Sequence, residues 1–282
     1  MSDEVMTAGT ETSVIVPEIW SKKYYDTLLA ALPFNDVIDR SWEGEIKTLG
    51  DTVKISTIPE FDEGTELPEA DRADAEALTL TQQSLVINKR IVKDFIVTNT
   101  ALLQSLPFVD KVKELAVYSI MKKIQAVIIA AISPSASNPD HTIAYDSSTT
   151  LALADALEVK ELLDAAVVPA PGRSVVLGAE QINDLFNITG FMSSDFVTAD
   201  NQGGLITGEI PKMLLGFKPY LTTIVGDTSY WFHQTFFTMA SQQGMNVAEF
   251  DLGVDGKRAK RINTDTLIGV KQLDNTRVVT LA

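Results

Sequence analysis

Residues Gly50–Asn88 read GDTVKISTIPEFDEGTELPEADRADAEALTLTQQSLVIN, and their reading decides the fold. Both ends alternate as strands do. Val53 and Ile55 share one face of the first, and Leu78 with Leu80, then Leu85 with Ile87, repeat the pattern on the return. Between them, Pro59–Ala77 holds eight acids, Glu60, Glu63 and Glu66 among them, against the single base Arg72. Such a segment cannot join a core, because carboxylates are buried only when paired. The pattern predicts a long hairpin whose tip stands away from its own subunit.

The rest of the chain has ordinary globular character. It has 282 residues, 45% of them hydrophobic and 22% charged, enough for a sizeable core. No apolar run reaches the ~18 residues of a membrane span. The start, MSDEVMTAGTETSVIVPEIW, lacks the basic and apolar regions of a signal peptide. There is no cysteine, so disulfide frameworks and thiolate metal sites are excluded. Net charge is −15, of which the hairpin tip supplies −7 (eight acids less one arginine). General electrostatic binding of nucleic acid is therefore not expected, since phosphate recognition needs clustered Lys and Arg.

Residues 1–16 read as an arm. In VPEIWSKKYYDTLLAAL, Ile19, Trp20, Tyr24, Leu28 and Leu32 form a helical stripe that Pro33 stops. The clearest helix is PFVDKVKELAVYSIMKKIQAVIIAAIS, with Val109, Val112, Ala116, Ile120, Ile124, Val127 and Ala131 at steps of three and four. SSTTLALADALEVKELLDAA predicts a capped helix with Leu151, Ala154, Leu157, Leu162 and Ala165 inward. RSVVLG predicts a short buried strand and AEQINDLFNIT a helix. GEIPKMLLGFKPYLTTIV is turn-rich, TSYWFHQTFFTMAS reads as one aromatic strand, and the last segment reads as long strands with Gly and Asn turns.

Motifs for chemistry are missing. His141 and His233 are the only histidines, and both read as ordinary structural residues. There is no H-E-x-x-H, no G-x-S-x-G elbow, no phosphate loop and no dinucleotide fingerprint. The acidic tip is too exposed to raise a catalytic carboxyl pKa, and its prolines break an EF-hand register. No cofactor or metal is expected. DGKRAKR holds the one dense basic patch, Lys257, Arg258, Lys260 and Arg261. It reads as a solvated turn or a partner for a neighbouring chain's acids, with DNA contact the less favoured use.

The order of parts resembles the major capsid proteins of tailed bacteriophages. IVPEIWSKKYYDTLLAALPF, DRSWEGEIKTLGDTVKIS, LTLTQQSLVINKRIVKDFIV, GEIPKMLLGFKPYLTT and RINTDTLIGVKQLDNTRVVTLA carry the resemblance over nearly the whole chain. It implies an α+β capsid fold. Its parts would be an N-terminal arm at 1–44, an extended hairpin loop at 45–90, a peripheral domain with a spine helix at 91–149 and 245–282, and an axial domain at 150–244. It implies a structural, non-enzymatic coat protein whose copies form hexamers and pentamers. These would close into an icosahedral virion capsid around double-stranded DNA, assembled in the host bacterial cytoplasm without a membrane.

The resemblance also implies a portal protein as partner, and some family members take decoration proteins. The arm starts almost at Met1, so a separate scaffolding protein is expected unless residues were removed. Some family members cross-link through a lysine of the extended loop; Lys47 and Lys54 lie in that region without a matching motif, and the cross-link is not carried over. On this reading Val53, Ile55, Glu60, Glu63, Glu66, Leu78 and Leu80 of the hairpin meet a neighbouring subunit, and Lys257, Arg258, Lys260 and Arg261 meet a neighbour's acids. A same-fold alternative is an encapsulin-type compartment. An alternative of another class is an acidic carbohydrate-active enzyme or surface-binding module.

Overall fold

A computed structural model describes residues 29–43, 51–59, 61, 63–64, 66–67, 72, 77, 79–98, 106–137, 139–145, 150–188, 210, 212–252 and 259–282, with the backbone alone at 106–110. A short helix α1 (Phe34–Val37) precedes the hairpin strands β1 (Thr52–Thr57) and β2 (Thr81–Thr98). The spine helix α2 (Leu106–Ala131) follows, then β3 (Thr142–Ile143), α3 (Leu153–Ala165), β4 (Arg173–Leu177) and α4 (Ala179–Asn187). The chain ends with β5 (Lys218–Leu221), β6 (Ser229–His233), β7 (Phe237–Leu252), β8 (Ala259–Gln272) and β9 (Val278–Leu281).

The strands form two sheets. One is antiparallel, in the order β1-β2-β8-β7; the other is mixed, in the order β3-β9-β6-β4-β5. Every residue of β4, β6 and β9 is buried. Both faces of the second sheet are covered, so these strands read as continuous apolar runs rather than alternating ones. On one face Val175, Leu177, Trp231, Val279 and Leu281 pack against α3 and α4. On the other, Val176, Tyr230, Phe232 and Val278 share a core with Ile120, Ile124 and Ile128 of α2 and with Phe237, Met239 and Ile268 of the first sheet.

The aromatic segment is not one strand. A 3-10 turn at Gln234–Phe236 separates β6 from β7 and carries the chain from the second sheet to the first. His233 is the reason: its Nδ1 accepts from the Thr235 amide and lies 2.8 Å from Thr235 Oγ1. The strand at Phe217 is equally cut short, by a two-residue turn at Leu215 and Gly216. Both have positive φ, and Leu214 and Phe217 exchange backbone bonds of 2.8 Å.

The spine helix behaves as its periodicity predicts at Ala116, Ile120 and Ile124, which are buried, and adds Ile128. Helix α3 does so only in part. Leu151 is buried and Leu162 packs on the core as expected, but Ala156, Val159 and Leu163 form its inward face, whereas Ala154 and Ala165 are exposed and Leu157 is 47% exposed. Its sequence carries two overlapping apolar stripes one residue apart, and periodicity alone cannot choose between them.

The helix read for 17–33 falls outside the described residues up to 28, and Leu29–Leu32 are non-helical. Residues 30–43 form a strap. The carbonyls of Ala30 and Ala31 accept from Tyr118 Oη (3.0 Å) and Thr222 Oγ1 (2.7 Å), and the Asp39 carbonyl accepts from the Met239 amide (3.1 Å). Phe34 and Ile38 are buried in the subunit core although the sequence assigns them to the arm. The expected line between 244 and 245 falls within strand β7, where its register on β8 shifts between Gln243 and Asn246, and β9 lies in the second sheet beside β6.

Ile124 is 6% exposed and sits among Ile120, Ile128 and the aromatic residues. Ile124→Asp buries an unpaired carboxylate there, at a cost on the order of 4 kcal/mol. The expected outcome is insoluble protein on expression. Recovery of a soluble monomer with an unchanged circular-dichroism melt would place the stripe at an interface instead of the core.

Candidate subunit interface

The hairpin is built on an unusually long strand. β2 pairs with β1 through Thr81–Val86 and with β8 from Ile87 to Thr98, with a bulge between Ile87 and Lys89. At the junction, Gly269 of β8 leaves room for β2, since a Cβ there would stand 2.6 Å from the Val86 carbonyl oxygen. Val53 and Ile55 lie opposite Leu85 and Gln83. With Leu85, Ile87 and Ala240 they form a small core, over which Trp42, Leu267 and Leu273 close. The apolar face that the sequence assigns to a neighbour is thus covered at its base by the chain itself.

Further out the described hairpin residues are uncovered. Ile58, Phe61 and Leu80 are more than half exposed, Leu67 is 40% exposed, and Glu63 and Glu66 are exposed beside them. Glu60 and Leu78 lie outside the described residues. The tip is therefore less polar than its composition suggests: Phe61 and Leu67, set among the acids, were the signal in the sequence.

Lys257 and Arg258 lie outside the described residues. Lys260 and Arg261 meet acids of their own chain. Arg261 pairs with Asp94 of β2, which Asn263 also bonds, and the Arg261 hydrogen bond holds the Asp94 carboxyl below its usual range. Lys260 lies 3.7 Å from Glu249 of β7, whose pKa is lowered first by the hydrogen bond from Lys113 of α2. These pairs cross from strand to strand and from strand to helix, and so stitch the first sheet to the spine helix. Being partly exposed, each contributes little to stability by itself.

A feature that the sequence reading passed over is basic. Arg90, Ile91, Val92 and Lys93 of β2 line a cleft with Ser119, Ile120 and Lys123 of α2. Arg90 also holds the nearly buried Asp265 at 2.8 Å. The runs KRIVK and KK, at 89–93 and 122–123, were the available signal.

His233 is structural. Its Nε2 donates to the Pro171 carbonyl at 2.9 Å, while Arg277 Nη1 donates to Thr235 Oγ1 at 2.7 Å and Arg277 Nε to Asp274 at 2.9 Å. His141 is buried, with Nδ1 3.1 Å from the Val278 carbonyl. Among the described residues no group of three or more His, Asp or Glu gathers to hold a metal, and no helix is long and apolar enough to cross a membrane.

The chain has a solid core and a projecting hairpin, and solved phage capsid structures share this fold. A structure from Mycobacterium phage Che8 superimposes with a TM-score of 0.72 at 22% identity, covering 94% of this chain and 96% of that one. The capsid of the cyanophage P-SCSP1u gives 0.73 at 12% identity (97% and 94% covered). The mature capsid of bacteriophage PhiM1 gives 0.71 at 11% (99% and 96%). These identities speak for the fold. The phage capsid protein family matches residues 106–282, and the chain belongs to that family. No curated protein sequence matches it closely.

Burial and the neighbouring Arg277 and Arg173 lower the His233 pKa, against the raising effect of the Pro171 bond. The folded state thus prefers neutral imidazole. As pH falls, the unfolded chain takes up the proton first, so stability is lost from about pH 6.5 downward through the folded pKa. Thermal melts from pH 7.5 to 5.5 should show this fall. His233→Gln should be less stable at pH 7 by about 1–2 kcal/mol and show a flatter slope over the same window. An unchanged slope would remove His233 from the acid response.

Proposed function

We propose that this phage coat protein assembles through hexamers and pentamers into an icosahedral shell that encloses double-stranded DNA, and that it catalyses no reaction. The observation that carries this reading is the projecting hairpin. Its base is anchored in the subunit core, while Ile58, Phe61, Leu67 and Leu80 stand exposed beyond it. Exposed apolar residues in a row on a projecting element mark a protein contact. A strand pair that would be marginal alone gains its remaining burial from a neighbour.

On this reading the first sheet with α2 serves as the peripheral part, and the second sheet with α3 and α4 as the axial part around the capsomer centre. A scaffolding protein and a portal act during assembly in the host cytoplasm, and a decoration protein can bind the outside. DNA is held without sequence-specific contact, in keeping with the charge of −15.

The test is electron microscopy of the purified full chain, alone and with its scaffolding partner. Shells or capsomers are expected; a monodisperse monomer under every condition would exclude the reading. Deleting 60–76 should leave a folded subunit, because the core residues Val53, Ile55, Leu85 and Ile87 remain. Particle yield should drop at least about tenfold, as expected for loss of contacts worth over 1.4 kcal/mol. Wild-type yield after the deletion would show that the hairpin is dispensable for assembly.

A further inference from the structure

His233 joins the two sheets through bonds that all depend on one protonation state. It is 7% exposed and caps the turn Gln234–Phe236, with Nδ1 accepting from the Thr235 amide at 3.3 Å. Nε2 donates to the Pro171 carbonyl at 2.9 Å. Gly172 lets that loop come so close: its φ is +90°, and a Cβ there would stand 3.1 Å from Nε2. The Thr235 hydroxyl completes the set. Arg277 Nη1 donates to Oγ1 at 2.7 Å, so the hydroxyl turns its own proton to Nδ1, 2.8 Å away. Two donors converge on Nδ1, and only neutral imidazole with its proton on Nε2 fits them.

We propose that His233 is an acid-sensitive latch between the sheets: when Nδ1 takes up a proton, the turn Gln234–Phe236 and the β8–β9 link come loose while both sheets stay folded. A protonated Nδ1 faces the Thr235 amide donor to donor. The hydroxyl can rotate and accept instead. The amide cannot, and a buried N–H is left without its acceptor. The loosening then passes on. The Phe236 carbonyl accepts from the amides of Leu273 and Asp274 at 2.8 and 3.3 Å, and the Arg277 carbonyl accepts from the His233 amide at 3.1 Å. Both crossings thus hang on the turn whose cap is lost.

Among the described residues, the acids facing this joint are already matched by bases. Arg173 of β4 lies opposite His233 in the strand register, and Arg277 stands over Thr235. Asp164 pairs with Arg173 and Lys160, while Asp274 pairs with Arg277 and accepts from Thr276. On the third side Asp36 of the strap and Lys218 of β5 line one cleft with Pro171, Gly172 and Gln234, and their charges offset each other. Nothing is left over to hold an imidazolium. Burial, and after it the two guanidiniums, lower the His233 pKa against the pull of the Pro171 bond. The latch is therefore shut at neutral pH and opens only below about pH 6.5.

Hydrogen exchange of the free full-length chain from pH 7.5 to 5.0, corrected for the intrinsic pH dependence of exchange, tests the latch independently of shell formation. Protection of residues 233–237 and 272–275 should fall at least about tenfold below pH 6.5, while β4 and β9 keep theirs. His233→Gln presents an amide oxygen to Thr235 and carries no titrating proton, so its protection should stay level over the window. If that variant does not fold, His233→Asn, with a side chain favoured at caps, replaces it. Arg277→Gln removes one like charge and releases Asp274, and should move the midpoint to higher pH. A packing role of His233 alone would leave the midpoint where it is.

Loss of protection in β4 and β9 together with the turn overturns the proposal, because the subunit is then unfolding as a whole. Unchanged protection of the turn down to pH 5.0 overturns it too, as does a fall in His233→Gln equal to that of the wild type.

Discussion

The passage of one aromatic segment between two sheets is the constraint on which the subunit depends. Tyr230 and Phe232 belong to the second sheet, Phe237 and Met239 to the first, and only the turn Gln234–Phe236 separates them. All four, with Phe236, point into the core that α2 closes. Phe34 stacks on Phe232 at 5.6 Å and meets Tyr230 edge-on at 5.7 Å, so the strap is tied to the same point. The Phe236 carbonyl accepts from the Leu273 and Asp274 amides, which fixes the link between β8 and β9. The crossings from β6 to β7 and from β8 to β9 are thus held together, and an offset at one would misplace the other.

The hairpin draws its stiffness from that core through a single strand. In β2, Thr81–Val86 belong to the hairpin and pair with β1, while Ile87–Thr98 are fixed by their pairing to β8. The small core of Val53, Ile55, Leu85, Ile87 and Ala240 at the junction clamps β1 to it. Each of its valine, isoleucine and leucine side chains stabilises by about 1.5–3 kcal/mol when fully buried, more than a free two-stranded ribbon can supply. Trp42 closes over this cluster and Glu43 bonds Ser241, so the strap that secures Phe34 also secures the hairpin's root.

Much of this was legible in the sequence. The spine helix, the buried strand at 173–177, the helix after it and the hairpin itself follow from periodicity and from acids that have nowhere to be buried. The capsid resemblance extended that reading to the whole chain, and the family match supports it. What was not legible depended on relations between distant residues. His233 bonding Thr235 breaks an aromatic run that otherwise alternates as one strand. The two stripes of α3 are indistinguishable until β9 is seen against one of them. The basic run at 257–261 drew attention as a cluster, yet its described members meet Asp94 and Glu249, acids remote in sequence. Lys93 and Lys123 line one cleft although thirty residues separate them, and the basic runs at 89–93 and 122–123 do not by themselves say that they meet.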